Sequence, residues 1–555
     1  MVNYGAKILN TASGALSAHQ ALISVLSNNI ANVNTPGYVR RSVSLEARGG
    51  PSQGAGDFGH GVAVGPLQRS VDGYLDKLLR EAGADKSSFE AQEGLLSRVD
   101  QLFNLTGSTS TIGKSFTEFF SAISDLRANP SSIELRSGLL NKAENLVSSI
   151  RDTFNGISSV QDEADSRMTS EVAEINTFLD DIARLNGVIS NQESGGTIVG
   201  DERDQRDELI RKVTEKVGAS VIEQSDGSAY LSLPGGFPLV SGTTARHLKV
   251  TEDPSFTTQV PPLLSGRPGR YVVYDYAQGK TPSQDVDLSE VIGSAGGTLG
   301  GLLTVRGTNS PTNTSPFSGT GPLVAAASRV ESMARVLLTR FNEVYNGPDE
   351  DNTTAGLQSS AVDLDGNTPS AFGFFTAQLP GSSLLADSDN DGIAELGDLA
   401  ATGEFTFADK LSLAISDPRS IAAARDVDTN PNSVVLASGN ADNLVALSAL
   451  RTEKVQLGVV GDAQDVSVPS TTSMTFEEGY QELLTQFGGT FSSVQFGSKN
   501  AEARFVVAQQ RRDQQSGVNL DEEFTQLIKF QQAYQASSRL VRSASEILDT
   551  IIGLL

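Results

Sequence analysis

The sequence predicts an α+β multidomain chain: a terminal α-helical coiled coil, a body of long helices bundled together, and β-rich domains inserted into that body. Three observations predict it. Apolar residues recur every seven positions at both ends of the 555-residue chain. Helical spacing of apolar residues runs through most of residues 73–217. Strand-like alternation, punctuated by Asp-Gly and Gly-Gly turns, is concentrated in the middle.

The first helix is expected from about Tyr4 to Asn32. In it Leu9, Leu16, Ile23 and Ile30 hold one heptad slot, and Ala12, His19, Leu26 and Val33 hold another. The segment NVNTPGY then stops the helix, because Pro36 disfavours helix at Thr35 and Gly37 supplies a turn. Residues 39–72 alternate apolar and polar with many glycines, which reads as an extended arm or hairpin. Long helices follow. One face carries Phe116, Phe119, Phe120, Ile123 and Leu126, and a later one carries Val172, Ile175, Leu179, Ile182 and Leu185. Another helix is expected over Asp201–Val217, with Asp201, Asp204 and Asp207 beside Arg203 and Arg206 as intrahelical pairs.

Residues 218–280 read as a small β domain, and helix resumes at about 322–346. A polar, glycine-rich insertion spans about 349–432, and helical segments are expected at 434–456 and 475–511. At the C-terminus Leu520, Leu527, Tyr534, Val541, Leu548 and Leu555 repeat every seven residues. Phe524 and Ile552 stand in a second slot that also holds Gln531, Ser538 and Ser545. The expected division is therefore 1–40 with 512–555 as a terminal coiled-coil domain, and 41–217, 300–348 and 433–511 as the helical body. Residues 218–299 form a β-rich domain and 349–432 an outer insertion.

Composition narrows the function. The net charge is −25, which argues against nucleic acid or an anionic membrane surface as the main partner. The chain has no cysteine and three histidines far apart, His19, His60 and His247, which removes thiol chemistry and makes a histidine-based triad or metal cluster unsupported. The glycine-rich GGTLGGLL at 296–303 lacks the Lys-Ser/Thr of a phosphate loop. No catalytic residues are assigned, and the chain is expected not to be an enzyme. One motif carries metal chemistry. In DSDNDGIAELGD, Asp387, Asp389, Asp391 and Asp398 stand at positions 1, 3, 5 and 12 of a calcium-loop pattern, with Gly392 at position 6. Position 12 is the shorter Asp, and the apolar residue, Ile393, comes one place early. Calcium binding and a solvated acidic turn both stand as readings.

The segment SGALSAHQALISVLSNNIANVNTPGYVRRSV resembles the N-terminal motif of bacterial flagellar rod, hook and hook-associated proteins. SGVNLDEEFTQLIKFQQAYQASSRLVRSASEILDTIIGLL resembles the matching C-terminal motif. DQRDELIRKVTEKVGASV, GNADNLVALSAL and TFEEGYQELLTQFG resemble segments of the hook-associated protein 1 branch. The resemblance implies a secreted structural protein of the bacterial flagellum at the hook–filament junction, with roles in motility and flagellum assembly. It implies termini disordered in the free subunit that polymerise helically as paired heptad helices. Leu9, Leu16, Ile23 and Ile30 would form one seam, and Phe524, Leu527, Tyr534, Val541, Leu548 and Ile551 the other. Asn28, Asn29, Asn32, Asn34, Pro36, Gly37 and Tyr38 match the family's turn motif. Implied partners are copies of the chain in a ring within a tube, the hook protein, a second junction protein and a cytoplasmic export chaperone. No nucleic acid or membrane partner is expected. An extracellular location reached by type III export, without a cleaved signal peptide, is expected too. The alternatives are another flagellar axial protein (the hook protein or the second junction protein) and a secreted calcium-dependent adhesin.

Overall fold

The computed structural model describes residues 2–48, 61–103, 111–194, 198–251, 264, 270–274, 286–307, 321–347, 361–367, 373–377, 406–425, 439–457 and 473–553. Asp387, Asp389, Asp391 and Asp398 of the acidic loop lie outside the described residues. So does His60.

The heptad-patterned N-terminus is helix α1 (Val2–Ala31). It feeds an antiparallel hairpin arm, β1 (Arg41–Ala47) on β2 (Val62–Arg69), in which Arg41 stands opposite Arg69 and Leu45 opposite Val64. Helices α2 (Gly73–Phe103), α3 (Ile112–Ala128), α4 (Ile133–Glu193) and α5 (Gly200–Val217) follow. Two are opened by side-chain caps: the Thr111 hydroxyl accepts from the Lys114 amide and the Ser132 hydroxyl from the Leu135 amide. Strands between Ser220 and Asp287 build a four-stranded and a three-stranded antiparallel sheet. Then come α6 (Ser289–Ala295), α7 (Gly297–Arg306) and α8 (Pro322–Val336), the last continuing through a π turn at Leu337–Phe341 into α9 (Asn342–Asn346). Helix α10 (Asp442–Ala449) leads to α11 (Phe476–Ser516), opened by a reciprocal box in which Thr475 and Glu478 satisfy each other's amides. The C-terminal helix is α12 (Leu520–Gly553).

Helix α4, which is 61 residues long, threads the two larger cores of the body. Its first half, Leu139 to Ala164, packs with α2, α3, α8 and α11. Its second half, Met168 to Ala183, packs with α5 and the sheets. Helix α7 wedges between them: Leu302 and Val305 face the first core, Leu299 and Leu303 the second. The glycines of GGTLGGLL serve this contact, since a Cβ on Gly301 would overlap the Ser88 carbonyl of α2. Each fully buried Leu, Ile or Phe in these cores contributes about 1.5–3 kcal/mol of burial.

Three asparagines tie helices to extended backbone. Asn176 pairs its amide with both the N–H and C=O of Leu248, at 2.9 and 2.8 Å. Asn186 does the same with Ala229, at 2.9 and 2.8 Å, and Asn342 with Phe375, at 3.0 and 2.7 Å. The side-chain amide acts as one more residue of sheet, satisfying strand groups that would otherwise be buried unpaired.

Two expectations change. Residues 434–456 do not form one helix: among the described residues only Asp442–Ala449 is α-helical, and Val455–Gln456 pairs as strand with Ser473–Met474. The described parts of 361–425 are not a separate outer unit either. Phe374, Phe375, Phe407 and Leu411 lie in the first core, against Phe119 and Phe341. The buried Glu331 carboxylate of α8 accepts the Phe407 amide at 3.0 Å and the Ala408 amide at 2.9 Å, pinning this segment to the body. Burial pushes that carboxyl above the usual Glu range.

Candidate functional site

The chain's two ends meet. Helices α1 and α12 run antiparallel, with His19 against Phe530 (6.2 Å between ring centroids) and Asn29 bonded to Glu523. On α12 the seam is Glu523, Leu527, Phe530, Tyr534, Ser537, Val541 and Ala544, alternating steps of four and three residues. On α1 it is Ala12, Ala15, His19, Leu22, Leu26 and Asn29. Its buried places are shared between two leucines, Leu22 and Leu26, and small or polar side chains: Ala12, Asn29, Glu523, Ser537 and Ala544.

This places the sequence-selected residues in two groups. Leu527, Tyr534 and Val541 lie in the seam, half-buried. Leu9, Leu16, Ile23 and Ile30 stand one position to the side of the α1 seam and are half-buried on its flank. Phe524 is displaced further and is 47 % exposed, because the second slot of α12 is Glu523–Phe530–Ser537–Ala544, one residue earlier than the Phe524 slot. The side chains of Leu548 and Ile551 lie outside the described residues. The physical reason is that adjacent positions of a helix share the same seven-residue repeat. Period alone identifies a face about a hundred degrees wide, and not the line within it that meets one particular neighbour. Outside the seam, apolar side chains also remain exposed on α12: Phe524, Ile528 (56 %), Leu540 (57 %) and Ile547 (50 %).

The turn motif closes the open end of this pair. Asn29, fully buried, accepts the Tyr38 hydroxyl at 2.8 Å and the Arg41 amide at 3.1 Å, and donates to the Arg41 carbonyl and Glu523 Oε2, both at 2.9 Å. Glu523, fully buried as well, takes Arg40 Nε at 2.8 Å. Asn28 and Asn32 bond each other at 2.9 Å, and Asn32 accepts from the Thr35 hydroxyl. Gly37 adopts φ +80°, a left-handed turn that favours glycine. Asn34 and Pro36 are exposed. Burial raises the Tyr38 phenol above its ordinary range, so it stays a neutral donor to Asn29. Glu523 escaped sequence reasoning. The signal that marks it is a carboxylate in the register of Phe530 and Ala544, where an apolar residue is the norm.

A second joint fixes the arm to the body. Arg41 and Arg69, cross-strand partners at the arm's root, both reach Asp204 of α5. Arg41 Nη2 donates to its Oδ2 at 2.9 Å and Arg69 Nη2 to its Oδ1 at 2.5 Å. Arg41 also reaches Asp201, and Arg69 reaches Asp207 at 2.8 Å. Arg203 instead forms a fork with Glu193 at the end of α4, both bonds 2.7 Å, which holds the Glu193 carboxyl below its usual range. Arg206 donates to the Gly227 carbonyl. Apart from the Arg206–Asp207 contact, the charges of DQRDEL named here thus serve ties between elements rather than the expected pairs within one helix.

Comparison with known proteins accords with this architecture. A family profile for the flagellar hook-associated protein FlgK helical domain matches residues 96–357. Profiles for the flagella basal body rod protein and the flagellar basal body rod FlgEFG protein C-terminal match residues 9–38 and 509–554, the two helices of the terminal pair. Flagellar hook-associated protein 1 of Salmonella typhimurium is 26 % identical over 605 residues, covering 99 % of each chain. That of Bacillus subtilis is 27 % identical over 572 residues, covering 98 % of this chain and 97 % of its own. The flagellar hook junction protein FlgK from Burkholderia pseudomallei shares the fold with a TM-score of 0.56 at 16 % identity, across 79 % of this chain and 99 % of that one. No described helix is long and apolar enough to cross a membrane. The relatives span the sequence nearly end to end, and the chain is similar to flagellar hook-associated protein 1 along nearly its whole length.

Proposed function

We propose that this flagellar structural protein forms the junction between hook and filament, and that it joins the axial tube by packing its α1/α12 pair against the pairs of neighbouring copies. The observation that carries this is the mismatch within the pair. Its seam is narrow and rich in small or polar groups, while Phe524, Ile528, Leu540 and Ile547 remain about half exposed. Covering the exposed half of such side chains yields about 1 kcal/mol each, and a helix pair of this length is marginal in water without it. Neighbouring copies are the natural cover, with the hook protein on one side and a second junction protein on the other. An export chaperone masking α12 before secretion to the cell exterior would cover the same exposed side chains. No step calls for catalysis. A calcium ion on Asp387, Asp389, Asp391 and Asp398 would stabilise only the segment around it, and a chelator that leaves the melting curve unchanged removes that site.

The test compares the full chain with a version lacking residues 1–40 and 518–555. The shortened protein should melt with the body's midpoint, yet fail to polymerise and fail to restore motility to cells lacking their own copy. A shortened protein that still assembles would overturn the reading.

A further inference from the structure

The buried hydrogen bonds at the foot of the terminal pair run on without a break into the body. The Asn29 side chain has two donor and two acceptor positions, and all four are used. Nδ2 donates to Glu523 Oε2 and to the Arg41 carbonyl, while Oδ1 accepts the Tyr38 hydroxyl and the Arg41 amide. One side chain of α1 thus holds both backbone groups of Arg41. The Arg41 guanidinium in turn lies over the Tyr38 ring, 5.0 Å from its centroid, and reaches Asp204 and Asp201 of α5. Glu523 fixes which way the Asn29 amide points. A carboxylate only accepts, so the NH2 side must face it, and the carbonyl side is left for Tyr38 and the Arg41 amide. With the amide turned over, its oxygen would face the carboxylate and its NH2 the Arg41 N–H. Glu523 is itself held by Arg40 Nε at 2.8 Å, and the Arg40 amide bonds the Ser516 carbonyl at the end of α11 at 3.0 Å.

We propose, resting on the reading of α1 and α12 as the assembling pair, that Glu523 is a positioning residue. By orienting Asn29 it sets the Arg41 backbone, and so couples the docking of α12 on α1 to the seating of the arm on α5. With α12 off α1, Asn29 loses the acceptor that orients it, and its hold on Arg41 loosens. A leucine of similar volume would fill the seam without the cost of a buried charge. Leucine cannot accept a hydrogen bond, however, so a packing role and a positioning role predict opposite effects of that substitution.

The experiment follows amide exchange across Tyr38–Arg41 in the intact chain by mass spectrometry, in the free chain and in its polymer. Glu523→Leu should quicken exchange there about tenfold, as the loss of charge-assisted bonds dictates. Glu523→Gln keeps a carbonyl acceptor for Asn29 and should stay closer to the wild type. The cycle is completed by Asp204→Asn and by Asp204→Asn joined to Glu523→Leu. Coupled sites give a double variant that exchanges about threefold or more below the product of the two single effects, and independent sites give the product. Exchange at the product, or exchange in Glu523→Leu no faster than in the wild type, would overturn the proposal. If the free chain shows no protection at Arg41, the polymer carries the comparison, and no protection in either form overturns the proposal as well. Should Glu523→Leu not fold, Glu523→Ala, which also lacks an acceptor, takes its place. Coupling in a chain whose shortened form still polymerises counts against the assembly reading alone. Product rates in a chain that needs its ends to polymerise count against the coupling alone.

Discussion

Both the body and the terminal pair are built from antiparallel helices, but they spend their apolar residues in opposite ways. In the body, Phe119 meets Phe341 and Phe375 with ring centroids 5.5 and 5.8 Å apart, and all three rings are buried. In the pair, the contact line mixes alanines, a serine, Asn29 and Glu523 with Leu22, Leu26 and the half-buried Leu527, Phe530, Tyr534 and Val541. Further large side chains such as Ile528 and Leu540 remain exposed on α12. The body has closed its core within one chain. The pair has specified a register with polar groups and left its hydrophobic surface unspent. A polar group in a seam costs stability and selects one alignment. That is the behaviour expected of an element that must first find its own partner helix and then be covered by something else.

The comparison breaks most visibly in the body. Phe119→Ala removes a fully buried ring from the aromatic cluster and should cost about 3–5 kcal/mol in urea unfolding. If the loss were below about 1 kcal/mol, the core would be loosely packed and the contrast with the terminal pair would fail. The joint comes next. Asp204→Asn weakens charge-assisted bonds from both Arg41 and Arg69, and about 2–3 kcal/mol of local stability should go with it. Hydrogen exchange at Tyr38–Arg41 should quicken while the body's midpoint stays put. Equal quickening across α3 and α8 would mean that the arm and body unfold as one unit.

A smaller effect distinguishes the ion pairs of the body by pH. The Glu193 carboxyl sits below its ordinary range because Arg203 bonds both its oxygens. Its contribution is therefore present above the ordinary Glu value, near pH 4.3, and is lost as the pH falls through the depressed folded-state value. Glu193→Gln should cost about 1 kcal/mol at pH 7. The gap between wild type and variant should shrink on acidification, which paired melts at pH 7 and pH 3 would read.

Much of the helical architecture was legible because amphipathic periods leave a direct trace: Phe116 to Leu126 and Val172 to Leu185 are buried along the faces their spacing selects. Contacts between distant segments leave none. Nothing local says that Asn29 meets Glu523, 494 residues away, or that Arg41 and Arg69 share Asp204. The same holds for Phe374 and Phe375, which sit in a stretch that reads as polar and yet complete the body's core. Within the terminal helices the repeat gave the face but not the line. Leu527, Tyr534 and Val541 lie on that line with Asn29 and Glu523, whereas Leu9, Leu16, Ile23 and Phe524 only flank it.

The last prediction has the smallest effect on the isolated chain and bears most directly on assembly. Ile528 is 56 % exposed and Phe524 47 %, so replacing either with Ser removes little burial within one chain. The change in monomer stability should stay within about 0.5 kcal/mol. If neighbouring copies cover this flank, the same substitutions should raise the concentration needed for polymerisation several-fold, since covering the exposed half of each side chain is worth about 1 kcal/mol. Ser537→Ala offers the opposite case: it lies in the seam, 6 % exposed, and among the described residues its hydroxyl bonds only the Ala533 carbonyl of its own helix. That change should leave both monomer and polymer nearly as they were. Sedimentation of the three variants side by side separates the readings. Polymerisation sensitive to Ile528 and Phe524 but not to Ser537 assigns assembly to the outward face. Polymerisation indifferent to the outward residues would mean that the pair is closed as it stands and that copies meet elsewhere on the body.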